Sequence, residues 1–301
     1  MHASRRRSRA GWIVAGALVV VIALAALWML RPGVPPEPEV AVTQTPTPTP
    51  TQTPTPTPTP SPAALPANTA SYDVGTLPEV SVFAVIPALP VDDEPAAALT
   101  GALATPRGAG APVFADPRGE PVAYLPSELR FDGTTVPVVE RHEHWLKVLL
   151  VGRQAVPSGG DPGQITGWLR AADVQVAASE VAVEVDISDR TIDIVRDGEP
   201  ERVATDFAWG TDATPTPTGR TFIMTTRVVP EFAYTRGHPL VYLAVQSPTL
   251  DGFGGADVAV TAFHYHDERS GAISNGCIRL DPAAISALAA LPLGTPVHIR
   301  P

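Results

Sequence analysis

Residues 180–210 read EVAVEVDISDRTIDIVRDGEPERVATDFAWG. Apolar side chains recur every second residue at Val181, Val183 and Val185, and again at Ile192 and Ile194, which is the period of a strand with one buried face. Two turn signals, Ile187-Ser-Asp-Arg190 and Arg196-Asp-Gly-Glu199, separate the runs. The stretch therefore predicts three antiparallel strands that open a domain. Further strands are expected at Arg220 to Val229, Leu240 to Gln246 and Asp257 to His264. Asp281-Pro282 reads as a helix cap followed by proline at the first helical position, opening the one convincing soluble helix, AAISALAAL. Gly294-Thr-Pro-Val-His-Ile299 closes as a strand, so residues 179–301 form a β-rich domain with one short helix.

Upstream, residues 111–178 carry short alternating runs: APVFADPRGEPVAYLP, VPVVERHEHWLKVLL and ITGWLRAADVQV, separated by Gly, Pro and Asp. They predict a small, separate β module. His142 and His144 beside Trp145 read as a solvated strand edge, because no carboxylate or cysteine cluster accompanies them as a metal site requires. Residues 31–110 are read as a linker. Its Thr/Pro run from Gln44 to Pro62 favours polyproline II and reaches roughly 60 Å, and the weakly periodic Ala/Pro stretch after Ser71 is taken as its continuation.

Arg5, Arg6, Arg7 and Arg9 precede the uncharged run Trp12 to Leu30, WIVAGALVVVIALAALWML, which is long enough to span a bilayer core. The basic cluster has no counterpart after Leu30. Residues 1–11 are thus expected in the cytoplasm, 12–30 as a single-pass signal anchor with a cleaved signal peptide as the competing reading, and the rest outside at the cell membrane. Without the four leading arginines, 17 basic residues stand against 31 acidic ones. That balance argues against nucleic-acid binding. No phosphate loop, dinucleotide fingerprint or metal constellation is legible, and no cofactor is expected.

The chain has one cysteine. An unpaired thiol outside the cytoplasm is either buried and inert or put to use. Cys277 sits in Ala272-Ile-Ser-Asn-Gly-Cys-Ile-Arg-Leu280, where Gly276 lets backbone approach a substrate and lets adjacent N–H groups converge on an oxyanion. His264 and His266 end the strand DVAVTAFHYH and by alternation share a face. A Cys/His pair on neighbouring strand ends becomes plausible chemistry.

These residues resemble the L,D-transpeptidase (YkuD-type) family. Four features in the same order carry the resemblance: Val195-Arg-Asp-Gly198, Gly210, the turn Thr216-Pro-Thr-Gly219 leading to Phe222, and Ser274-Asn-Gly-Cys-Ile-Arg279 after a strand-ending histidine. The pieces Trp145-Leu-Lys-Val148 and Thr166 to Val174 resemble later strands of bacterial SH3-like domains. With the N-terminal apolar segment, the two resemblances describe a mainly β, membrane-anchored, two-domain protein. The transpeptidase resemblance also implies cysteine acyl transfer on peptidoglycan stem peptides, with release of D-alanine and formation of 3→3 crosslinks. It gives Cys277 the role of nucleophile and His264 that of general base, with His266 as the alternative and a backbone carbonyl orienting the ring. It gives the Gly276 backbone to the oxyanion, and Ser274, Asn275 and Arg279 to substrate binding, Arg279 either meeting a carboxylate or bracing the loop. Asn275 replaces the histidine common at that place, and the interval between His264 and Cys277 is short for the family. A stem-peptide carboxypeptidase and a non-catalytic wall-binding scaffold remain the competing readings.

Overall fold

The computed structural model describes residues 65–301. The expected cytoplasmic tail, membrane segment and Thr/Pro run lie outside the described residues. Among the described residues, the strands form two sheets. The first contains β1 (Ala102–Pro106), β2 (Gly110–Phe114), β3 (Pro121–Pro126), β4 (Val136–Arg141), β5 (Trp145–Leu150), β6 (Ile165–Arg170) and β7 (Val174–Ala178), in the order β3-β2-β6-β5-β4-β1-β7. The second contains β8 (Val181–Asp186), β9 (Thr191–Arg196), β10 (Glu199–Ala204), β11 (Ala208–Gly210), β12 (Gly219–Arg227), β13 (Leu240–Gln246), β14 (Val260–Tyr265), β15 (Gly271–Ser274), β16 (Ile278–Leu280) and β17 (Pro296–Arg300). Its order is β10-β9-β8-β17-β12-β13-β14-β16-β11-β15.

The opening hairpins follow from their residues. Val181, Val183 and Val185 of β8 are buried together with Ile192 and Ile194 of β9, and the strands pair antiparallel from Val181↔Arg196 to Asp186↔Thr191. Asp197 and Gly198 both take positive φ, 52° and 83°, as a two-residue hairpin turn matched to strand twist requires. The last strand, β17, returns between β8 and β12, parallel to the first and antiparallel to the second. The helix α1 (Pro282–Ala289) starts where Asp281 accepts hydrogen bonds from the N–H groups of Ala283 and Ala284 at 2.7 and 3.1 Å. It buries Ala284, Ile285 and Leu288 against the second sheet.

That sheet is covered on both faces. Val241, Leu243 and Val245 of β13 pack with α1, while Ala244, one residue out of phase, joins Phe222 and Met224 of β12 in the core of the first sheet. Residues 65–110 complete this shared core, which corrects the linker reading there. Val80, Val82, Ile86 and Leu89 are buried, and single bridges tie Glu79 to Tyr124, Val85 to Arg153 and Val91 to Ile165. Isolated bridges between prolines leave no alternating run, so periodicity cannot announce them. β1, in the same stretch, is a regular strand paired with β4 and β7, and the linker reading missed it as well.

Polar bonds lock the two sheets together. Asp92 receives both Nε and Nη2 of Arg220 at 2.7 Å, with both side chains almost wholly buried. Arg153 donates to the carbonyls of Leu250, Asp251 and Asp257, and Gln246 donates to the carbonyl of Val82 at 2.9 Å. A buried pair is costly to break because the survivor is left as an unpaired charge. Asp92→Ala or Arg220→Leu is expected to lower stability by about 3–5 kcal/mol, whereas the apolar double replacement Asp92→Leu/Arg220→Met recovers most of the loss; urea unfolding midpoints of the three variants check this.

Candidate active site

β14 and β16 are neighbours and run parallel, pairing Phe263 with Ile278 and His264 with Arg279. Cys277 immediately precedes β16. Because paired residues of parallel strands share a face and side chains alternate, Cys277, Arg279 and His264 all project to one side, with Cys277 one pleat from the histidine. The chain between β14 and β16 also supplies β15, which pairs with β11 instead of β14.

The cysteine loop is held from below. The Thr211 N–H and the Thr214 hydroxyl both donate to the carbonyl of Ser274, at 3.1 Å each. Gly210 donates its N–H to Thr216 Oγ1 at 2.9 Å, and a Cβ at Gly210 would fall 2.2 Å from the Thr214 carbonyl oxygen. Only glycine fits there, which gives the Gly210 and Thr216-Pro-Thr-Gly219 signals a common purpose: they seat the loop that carries Cys277. Gly276 lies at φ 105° with the carbonyl of Pro215 beneath it, a conformation that side-chain-bearing residues rarely adopt.

Ser274 is buried, and its hydroxyl is fully engaged. It donates to the carbonyl of Cys277 at 2.5 Å and accepts the N–H of Gly276 at 3.1 Å. Ser274 therefore braces the loop, and the Gly276 N–H, expected at an oxyanion, is engaged within the loop by the Ser274 hydroxyl. Asn275 is exposed, and Arg279 is largely buried.

The two histidines differ in tautomer. His264 is 6% exposed, and its Nδ1 lies 2.8 Å from the carbonyl oxygen of Tyr265. A carbonyl can only accept, so Nδ1 carries the proton and Nε2 of the neutral ring is free to take another. His266 has the opposite arrangement: its Nδ1 accepts the N–H of Glu268 at 3.0 Å, which puts the proton of its neutral ring on Nε2. Burial pulls His264 down to about 4, assisted by the charges of Arg279 and His266 and opposed by the Tyr265 carbonyl. Burial pushes the Cys277 thiol up, with the Ala262 backbone and Arg279 acting the other way.

Residues 228–239, between β12 and β13, cover these rings. Tyr234 packs edge-on to His264 at 5.3 Å and tilted on His266 at 5.7 Å, and stacks with Phe232 at 5.6 Å. Its hydroxyl is pushed up to about 12 by burial and by the nearby Cys277. Arg236 pairs with Asp267 at 2.5 Å across the mouth. Tyr234 lies in a short 3-10 turn, Ala233–Thr235, too short to leave a periodic signal in the sequence. Beside it, a groove of about 530 Å³ is lined by Thr225, Arg227, Phe232 and Tyr242, and by Phe83 and Phe131 from the first sheet's side. His238 lies tilted on Tyr265 at 5.0 Å and His298 faces Glu184, neither at the thiol. Among the described residues, no three His, Cys, Asp or Glu side chains are grouped to hold a metal ion.

Residues 180–299 match the model of the YkuD family, described as the L,D-transpeptidase catalytic domain. Solved structures similar to part of the chain include an L,D-transpeptidase from Mycobacterium smegmatis, with 17% identity over 52% of this chain and 91% of that one and a TM-score of 0.30. Another is an L,D-transpeptidase from Stackebrandtia nassauensis, with 20% identity over 42% of this chain and 58% of that one and a TM-score of 0.30. The catalytic domain of the Enterococcus faecium L,D-transpeptidase gives 22% identity over 40% and 95%, with a TM-score of 0.27. At such TM-scores these likenesses carry no weight beside the family match. No curated protein matches the chain.

His264 generates a pH prediction. Its pKa is near 6.5 unfolded and about 4 folded, so between those values the unfolded chain binds more protons. Stability is therefore full above about pH 6.5 and falls as pH drops toward 4, by up to about 3 kcal/mol from this group. His264→Gln should flatten that slope in unfolding free energies measured between pH 7 and pH 4.

Proposed function

We propose that the domain at residues 180–299 is a peptidoglycan L,D-transpeptidase in which Cys277 is the nucleophile and His264 the base. The observation that carries the assignment of the base is the bond from His264 Nδ1 to the Tyr265 carbonyl. It presents an unprotonated Nε2 on the face of the sheet that bears the thiol, and the opposite tautomer of His266 argues against that residue.

The reaction follows from these atoms. The thiol proton passes to His264 Nε2 as sulfur attacks the carbonyl of the third, L-centred residue of a donor stem tetrapeptide. The oxyanion that forms meets the Cys277 N–H, since that of Gly276 is held by Ser274. Collapse breaks the peptide bond, His264 returns the proton to the departing D-alanine amine, and a thioester remains on Cys277. A side-chain amine of a second stem then attacks, gives its proton to His264, and leaves as a 3→3 crosslink with the thiol restored. Tyr234 and residues 228–239 shield the histidine from water, which favours the amine over hydrolysis. A carboxypeptidase differs only in that water takes the amine's place.

The setting of the enzyme belongs to the same proposal. Residues 12–30 anchor it in the cytoplasmic membrane with its N-terminus inside, the Thr/Pro run is the spacer, and the β module of the first sheet acts as an SH3-like wall domain docked on the catalytic domain. The substrate then lies outside the membrane, where the acidic ectodomain is displayed.

The test is intact mass of the full chain after exposure to a carbapenem, followed by turnover of a stem tetrapeptide. One adduct is expected, lost in Cys277→Ala. Turnover should fall about 10²–10⁴-fold in His264→Ala and little in His266→Ala. A crosslinked dimer as product supports the transpeptidase, tripeptide alone means the carboxypeptidase, and no adduct with no turnover means a wall-binding scaffold.

A further inference from the structure

Arg279 is poorly explained as a brace. Its Nη1 reaches the Glu268 carbonyl oxygen at 3.3 Å and the Glu268 carboxylate at 3.9 Å, but that carboxylate is 79% exposed. Its Nε is buried and has no hydrogen-bond partner. A buried guanidinium donor left unmade is unfavourable, and a purely structural arginine would recover that loss by turning Nε onto a carbonyl. This one lies on the sheet face that carries Cys277 and His264, directly across from the histidine.

The charges around the thiol make the arrangement intelligible. The titratable or charged groups facing it are His264 and His266 on or just after β14, Tyr234 above, Tyr242 on β13, Glu268 on the following loop and Arg279 on β16. Burial holds His264 neutral down to about pH 4, and holds the hydroxyls of Tyr234 and Tyr242 protonated. Passing the thiol proton to so weakly basic an imidazole is uphill, because burial also raises the thiol. The thiolate needs a positive charge that His264 does not carry at rest.

We propose that Arg279 is a positioning residue whose guanidinium stabilises the Cys277 thiolate, so that sulfur faces a permanent cation already before His264 takes up the thiol proton. This rests on Cys277 being the nucleophile. In the activation step the S–H bond breaks, the proton goes to His264 Nε2, and the electron pair stays on sulfur facing Arg279. Guanidinium remains charged at every relevant pH, so the stabilisation does not depend on the histidine's protonation.

Alkylation of Cys277 by iodoacetamide, followed by intact mass of the full chain from pH 5 to pH 10, reads the thiolate directly. Arg279→Gln is expected to move the midpoint up by about one unit and to slow alkylation at pH 7 about tenfold, with the high-pH plateau unchanged. Arg279→Lys keeps the charge and should keep the midpoint. Arg279→Met serves the same comparison if the glutamine variant does not fold. Superposable profiles for the parent and Arg279→Gln overturn the proposal. So does a raised KM for stem peptide with an unchanged profile, which assigns Nε to a substrate carboxylate. If the parent takes no carbapenem adduct while the alkylation profile still shifts with Arg279, the acyl-transfer reading fails and the pairing of Arg279 with Cys277 stands.

Discussion

The parallel pairing of β14 with β16 is the constraint on which the site depends. Parallel neighbours need a crossover of about a dozen residues or more, and the segment from His266 to Cys277 barely provides it. The chain meets that limit by sending β15 away to pair with β11, then turning back at Gly276 with φ 105°. Cys277 therefore arrives at the start of β16 with its direction fixed by the ladder and not by its loop. The interval that looks short beside the family pattern is thus long enough for the register that aligns His264 with Arg279.

The loop beneath Cys277 shows how backbone requirements become sequence signals. Gly210 with the turn Thr211 to Thr216, and Ser274, are separated widely along the chain yet form one hydrogen-bonded bed. Removing any one of them frees a buried donor or acceptor, and such losses cost more than the bonds contribute when intact. Ser274 is the centre of that bed, which gives its presence in the motif a structural reason.

Much of this was legible beforehand. Strands β8 to β10, α1 and β17 declare themselves through alternation, a turn of two positive-φ residues and an N-cap, because each is a local solution of a local pattern. The motif residues Cys277 and His264 were legible as chemistry. The short strands β11, β15 and β16 were not, since three or four residues hold no period. Nor was the choice between His264 and His266, because it depends on which ring nitrogen meets a backbone carbonyl. The packed stretch from Leu65 to Gly110 read as linker because, before β1, its pairings are single bridges to distant strands, a non-local property that composition does not encode.

That misread stretch bears on catalysis. The segment between β13 and β14 sets where β14 begins, and it is held largely by side chains from the first sheet's half of the molecule: Arg153 binds three of its carbonyls, and Ser158 binds Asp251 through both its N–H and its hydroxyl. Gln246 extends the same network, donating to Val82 and accepting the N–H of Ala259. Phe222, Met224 and Ala244 complete the attachment by belonging to the other sheet's core. A catalytic half cut at residue 179 would expose those apolar groups and release the start of β14, and with it His264. The boundary visible in the sequence is therefore a boundary between patterns, whereas the unit that positions Cys277 and His264 extends back to the packed residues that precede β1.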